Sequence, residues 1–156
     1  MNNVSVSFRQ ARSIDGEALT ALANRAKAHW GYLQAQLEAW RADLEISPAS
    51  IATHWTLCAE TGGELVGVVQ LNVAIVAADL LHLWVEPKAM GQGIGTALLD
   101  AAIAHCRSFG LSQLTIDSDP NAEPFYAARG ARRVGETPAP IDGMPNRLRP
   151  QMVIDI

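Results

Sequence analysis

Three glycines at every second position, Gly91, Gly93 and Gly95, sit in the stretch VEPKAMGQGIGTALLDAAI. They separate an apolar run ending at Val85 from an amphipathic run that continues to Phe109. Glycine is a poor choice where a helix must start, because it costs backbone entropy and lowers helix propensity. Its repeated use there implies that something needs close access to the backbone. The first N–H groups of a helix have no intrahelical acceptor, and the helix dipole is positive at that end. Without a Cβ in the way, an anionic group can approach, and a pyrophosphate is a natural ligand. The competing reading is that Gly91 and Gly93 merely form a tight turn.

The spacing narrows the ligand. A P-loop requires G-x-x-x-x-G-K-[ST], and no lysine follows Gly95. The dinucleotide fingerprint G-x-G-x-x-G would need a third glycine where Thr96 stands. A Rossmann unit also carries that loop near the start of its domain, not after some 90 residues.

Around this centre the chain reads as alternating elements. Val4, Val6 and Phe8 alternate with Ser5, Ser7 and Arg9, a first strand. Leu19, Leu22, Ala26 and Trp30 follow helical spacing up to Gly31, and Leu33, Leu37, Trp40 and Leu44 mark a second helix. Ser47-Pro48 opens a short third helix, with a capping serine before proline. Two β-rich runs flank Gly62-Gly63 as a hairpin, Ala77 to Asp79 read as a turn, and Leu80 to Glu86 as a strand stopped by Pro87. A long helix over residues 93–109, with Phe109 on its apolar face, ends at Gly110. A strand over 111–117, a helix over 121–129 and strands over 132–136 and 151–156 complete the chain. The proline-rich segment 137–150 reads as a surface loop. The fold expected is α/β (α+β): one domain over residues 1–156, with a mixed central sheet of about six to seven strands flanked by helices.

A net charge of -4 speaks against a nucleic-acid partner. Gln70, Asn72, Asp79 and His82 interrupt the most hydrophobic stretch, so it reads as buried strands rather than a membrane helix. Cys58 and Cys106 fall in apolar patterns and make no metal-ligand spacing, so no metal is expected. Buried thiols and the lack of a signal-like start point to the cytoplasm.

The residues HLWVEPKAMGQGIGTALLDAAI resemble the acetyl-CoA-binding motif of the GCN5-related N-acetyltransferases, usually written [QR]-x-x-G-x-[GA]. DPNAEPFYAARGARRVGE resembles the same family's later N…FY…G motif. AKAHWGY (26–32) and MPNRLRPQM (144–152) resemble one small-molecule branch. Met90 stands where glutamine or arginine is usual, which would leave pyrophosphate binding to backbone amides and Thr96.

The resemblance implies transfer of the acetyl group of acetyl-CoA, as cosubstrate, to a primary amine, chiefly of a small molecule. It implies that Leu83, Trp84 and Val85 pair with the pantetheine as an added strand would, with the Val85 N–H facing the acetyl carbonyl. Gly91, Gln92, Gly93, Ile94, Gly95 and Thr96 would cradle the pyrophosphate. Asn121 would hydrogen-bond the pantetheine arm, and Tyr126 would protonate the coenzyme A thiolate. His82 is the candidate base or water-orienting group, with a structural histidine as the alternative. Glu86 and Asp79 beside it read equally as solvated carboxylates. His29, Trp30 and Tyr32, with Trp40, offer faces to an acceptor amine or simply pack the early helices. The alternatives to the small-molecule enzyme are a noncatalytic acetyl-CoA-binding or sensing module and a protein N-terminal or lysine acetyltransferase. The final strand, if it lies at an exposed edge, could pair with a second copy into a homodimer.

Overall fold

The computed structural model describes residues 5–156; Val4 of the expected first strand lies outside them. The strands are β1 (Ser7–Gln10), β2 (Trp55–Thr61), β3 (Glu64–Val73), β4 (Ala77–Val85), β5 (Gln113–Asp117), β6 (Arg132–Pro138) and β7 (Leu148–Asp155). They form one sheet in the order β1-β2-β3-β4-β5-β7-β6. The helices are α1 (Gly16–Ala28), α2 (Gln34–Ala39), α3 (Arg41–Leu44), α4 (Pro48–Thr53), α5 (Ile94–Ser108) and α6 (Glu123–Ala128). The mixed α/β class is the one expected. The described residues cluster into two compact units, residues 5–71 with Leu81–Ala102, and Asn72–Leu80 with Ile103–Ile156.

In the first unit, α1 turns Leu19, Leu22, Ala23 and Ala26 inward, the face that helical spacing defined. Leu19 and Leu22 join Ile46, Ile51, Cys58 and Val68 in a buried cluster, with Ala11, Leu65 and Trp84 packed against it. Fully burying each large side chain contributes about 1.5–3 kcal/mol. Trp30 is not part of this face: α1 ends at Ala28, Gly31 takes φ +88°, and Trp30 is exposed in the turn between them. The second helix is also shorter than expected. It breaks at Trp40 (φ -94°, ψ 8°) into α2 and α3, and Leu33 is exposed ahead of it. Ser47 caps α4 as expected, accepting the Ser50 N–H at 3.0 Å.

Strand β1 departs from its alternating pattern. Phe8 is exposed, whereas Arg9 is half-buried and reaches Asp15 at 2.8 and 2.9 Å. This short strand lies at the edge of the sheet, where an ion pair rather than an apolar side chain turns inward. The hairpin at Gly62-Gly63 is present, both residues at positive φ. The next turn lies at 74–76 instead of 77–79, so β4 starts earlier than expected, at Ala77. Gly67 on β3 serves close packing: a Cβ there would lie 2.9 Å from Leu98 Cδ1 and 3.0 Å from Ile94 Cγ2, both on α5.

In the second unit, the parallel ladder of β4 with β5 runs from Ala77↔Gln113 to Leu80↔Ile116. Leu114 and Ile116 face Ile154 and Met152 across the antiparallel β5–β7 pairing, and all four are buried. Strand β7 has neighbours on both sides, so it is no edge for a second copy; β6 is the edge strand. Phe109 does not share the buried face of α5. It lies past the helix end, exposed, edge-on to His105 at 5.0 Å. The middle of the expected loop, residues 139–147, is a connection, and its two ends belong to strands. Pro138 ends β6, Pro150 is fully buried in β7, and the connection carries a bridge between Ile141 and Met144.

Candidate active site

The second half of β4, Leu81–Val85, leads into the glycine loop. Glu86 follows, its N–H donating to the Val66 carbonyl at 2.9 Å. Its carboxylate is buried and accepts from Arg25 Nε at 3.0 Å and Nη2 at 2.6 Å, so it is not the solvated group the sequence allowed. A single 3-10 turn, Pro87–Ala89, then delivers Met90 in extended conformation. Gly91 and Gly93 both take φ +80°, the left-handed region that disfavours any side chain. A Cβ on either would meet no atom within 4 Å, so the space beside this backbone is open. The first intrahelical bond of the next turn runs from the Ala97 N–H to the Gly93 carbonyl at 3.0 Å. The amides of Ile94 and Gly95 precede it, and Thr96 lies in the same first turn of α5. The loop therefore has the shape that an anion-binding helix start requires.

His82 and Trp84 stand two residues apart on one side of β4. The Trp84 indole N–H donates to His82 Nδ1 at 2.9 Å. His82 is buried, and burial alone lowers its pKa to about 4, so it is neutral at neutral pH. Asp79, on the other half of the strand, is exposed and accepts a hydrogen bond from Thr115 Oγ1.

The aromatic residues that follow α1 meet in two pairs. His29 and Trp30 meet edge to face at 5.5 Å and are both exposed. Tyr32 and Trp40 meet at 4.8 Å and nearly perpendicular. Lys27 Nζ lies over both of these rings, 5.1 and 4.8 Å from their centroids. The cation–π site expected for an amine is thus held by a cation of the chain itself.

In the second unit, Asp119 organises the segment that carries Asn121 and Tyr126. Its Oδ1 accepts from the Asn121 backbone N–H at 2.7 Å and side-chain Nδ2 at 2.9 Å. Its Oδ2 pairs with Arg147 Nη2 at 3.4 Å, an ion pair withdrawn from solvent on both sides. Arg147 also donates to the Ala139 carbonyl at 3.2 Å, tying the β6–β7 connection to this segment. Tyr126 is buried on α6, edge-on to Phe125 at 5.3 Å. Burial first, and the Asp119 charge second, push its phenol well above the usual tyrosine range. The hydroxyl stays protonated, as a proton donor must.

Asp119, Arg147, Arg25 and Glu86 were not among the expected site residues. Only the flanking motif text pointed at Arg147, because an ion pair between residues 28 positions apart leaves no local pattern. Among the described residues no three His, Cys, Asp or Glu side chains are grouped to hold a metal, and no helix is long and apolar enough to cross a membrane. Both cysteines are free and buried, and burial raises the Cys58 thiol to about 12.

Residues 11–143 match the family model described as Acetyltransferase (GNAT) domain. A GCN5-related N-acetyltransferase of Rhodopseudomonas palustris (further described as Aminotransferase, Class-II) is similar in structure, with a TM-score of 0.80 at 26% identity over 100% of this chain and 99% of that one. The PaiA N-acetyltransferase of Thermoplasma acidophilum, solved with coenzyme A, gives 0.79 at 21% identity, covering 97% and 99%. The ribosomal-protein-S18-alanine N-acetyltransferase of Escherichia coli gives 0.76 at 18% identity, covering 97% and 94%.

Proposed function

Because this chain belongs to the GNAT acetyltransferase family, and is thereby an acetyl-CoA-dependent N-acetyltransferase, we propose that it acetylates a primary amine of a small molecule. The observation that carries the cofactor half of this reading is the glycine loop: two left-handed glycines with open space beside them, directly ahead of α5.

Acetyl-CoA supplies the acetyl group as a reactive thioester. Gly91, Gln92, Gly93, Ile94, Gly95 and Thr96 would bind its pyrophosphate through backbone amides and the Thr96 hydroxyl. Met90 offers no charge to that task, so the amides carry it. Leu83, Trp84 and Val85 would bind the pantetheine through their backbone; that the β4–β5 ladder spans Ala77 to Leu80, ahead of these residues, supports this. The Val85 N–H would polarise the acetyl carbonyl. Asn121, oriented by Asp119, would hold the pantetheine arm. Tyr126 Oη would give its proton to the departing sulfur. His82 would order water that receives the amine proton.

The likeness of AKAHWGY and MPNRLRPQM to a small-molecule branch supports the acceptor class. His29 and Trp30 would contact that acceptor; at Tyr32 a cationic acceptor would compete with Lys27 for the ring. A protein N-terminus is the second reading, since one structural neighbour is named for acting on a ribosomal-protein alanine. Thiol release from acetyl-CoA, measured against a panel of primary amines and a panel of N-terminal and lysine peptides, tests the choice. Turnover with small amines alone supports the proposal, and turnover with peptides alone overturns it.

A further inference from the structure

An indole N–H can donate a hydrogen bond and cannot accept one. The 2.9 Å contact from Trp84 Nε1 to His82 Nδ1 therefore requires a lone pair on Nδ1. The imidazole proton must then sit on Nε2. Adding a second proton would set an N–H of His82 against the N–H of Trp84 and break the contact. Trp84 is itself held in place, packed against the buried cluster of Leu19, Leu22, Ile46, Ile51, Cys58 and Val68. Its N–H is thus a fixed feature of the site and not one of many rotamers.

We propose that Trp84 is a positioning residue that fixes His82 as the neutral Nε2–H tautomer, so that His82 acts in acetyl transfer as a hydrogen-bond donor to water and not as the group that takes the amine proton. This rests on the reading of β4 as the strand beside the reacting acetyl group. It assigns the side chain of Trp84 a task separate from any backbone contact with the cosubstrate. Burial is the sole cause of the downward shift of His82, and no charged neighbour contributes to it. Among the carboxylates flanking the strand, Glu86 is paired with Arg25, and Asp79 is exposed and bonded to Thr115. The one titratable group in the cluster behind Trp84, the Cys58 thiol, is held neutral by its raised pKa. The tautomer is accordingly set by the indole.

Two measurements test this on the full chain. The first needs no acceptor: long-range proton–nitrogen NMR of the histidine side chains. The wild-type His82 should show the Nε2–H tautomer from about pH 8 down to about pH 5, whereas Trp84→Phe, which keeps the imidazole buried, should show mixed Nδ1–H and Nε2–H tautomers over the same range. An Nδ1–H tautomer or an imidazolium in the wild type at neutral pH overturns the proposal. The second is thiol release from acetyl-CoA with benzylamine as the probe acceptor. Glutamine carries an amide N–H near the position of Nε2, so His82→Gln should stay within about threefold of wild type while His82→Ala falls about tenfold or more. Trp84→Phe should lower kcat about tenfold with an unchanged KM for acetyl-CoA. Equal losses in His82→Gln and His82→Ala would mean that His82 takes the proton, against the proposal. A wild type that shows the Nε2–H tautomer but does not turn over benzylamine would count against the acceptor class alone, and the tautomer assignment would stand on the NMR result.

Discussion

The guanidinium of Arg25 grips the carboxylate of Glu86 with two nitrogens, Nε at 3.0 Å and Nη2 at 2.6 Å, joining the last turn of α1 to the residue that follows β4. The two ends are unequal. Glu86 is buried, while half of the Arg25 side chain meets solvent. Removing the arginine leaves a buried carboxylate without its cation, which costs more than the pair contributes. Arg25→Met should lower stability by about 2 kcal/mol, below the range for fully buried pairs because Arg25 is half exposed. Adding Glu86→Gln should recover part of that loss. Urea unfolding of the two variants checks this; equal stability of Arg25→Met and wild type would show the pair to be idle.

Gly93 has a left-handed backbone with nothing near its missing Cβ. Substitution there is strained without being crowded. Gly93→Ala should cost about 1–2 kcal/mol, and Gly93→Asn less, since asparagine tolerates this region. If the loop binds a pyrophosphate, both variants should weaken acetyl-CoA binding by more than the stability loss explains, because a side chain fills the open space. Calorimetric titration with acetyl-CoA decides; unchanged affinity in folded Gly93→Ala would remove the loop from the cosubstrate site.

Tyr126→Phe deletes one hydroxyl from a buried ring and keeps its packing. A phenol raised by burial and by Asp119 stays protonated throughout the working range, so its proton is available at every accessible pH. The variant should bind acetyl-CoA as wild type does and lose about 100-fold in kcat, the scale of one general acid. Steady-state kinetics beside a binding titration separates the two. Undiminished turnover would assign Tyr126 to the core only.

His82 makes stability depend on pH. Its pKa is about 4 in the folded state, against 6.5 for an ordinary histidine. Between those values the unfolded chain binds more protons, so folding stability is complete above about pH 6.5 and falls as the pH drops toward 4. The full difference is about 3 kcal/mol. His82→Gln should reduce this acid limb and leave a smaller share from His105, which burial also lowers. Asp15, held below the usual carboxylate range chiefly by its hydrogen bond from Arg9, loses its contribution at still lower pH and leaves the window readable. Urea midpoints at about pH 7.5 and pH 4.5 in both proteins give the comparison.

Local patterns were legible wherever the physics is local. The 3.6-residue spacing of Leu19, Leu22 and Ala26 located α1, Ser47-Pro48 located the start of α4, and Gly62-Gly63 located the hairpin. The glycine loop was readable too, because left-handed backbone and a helix start both leave a mark in composition. Boundaries failed where burial overrides pattern. Trp30 and Phe109 continue a helical face on paper, yet both helices stop before them, in turns completed by Gly31 and Gly110. Phe8 alternates correctly and is exposed, because an edge strand has little to cover it. Gly67 carries no local signal, because its need to be small comes from Ile94 and Leu98, distant in the chain.

The sequence by itself determined the α/β class, the order of the elements and the place of the glycine loop ahead of α5, since each depends on residues close together in the chain. Only the tertiary structure decided that Lys27 occupies the rings of Tyr32 and Trp40, that Glu86 is paired with Arg25, and that Asp119, itself paired with Arg147, holds Asn121. It also decided the proton on His82: burial and a single indole N–H set it, and packing against residues drawn from across the first unit holds that indole in place.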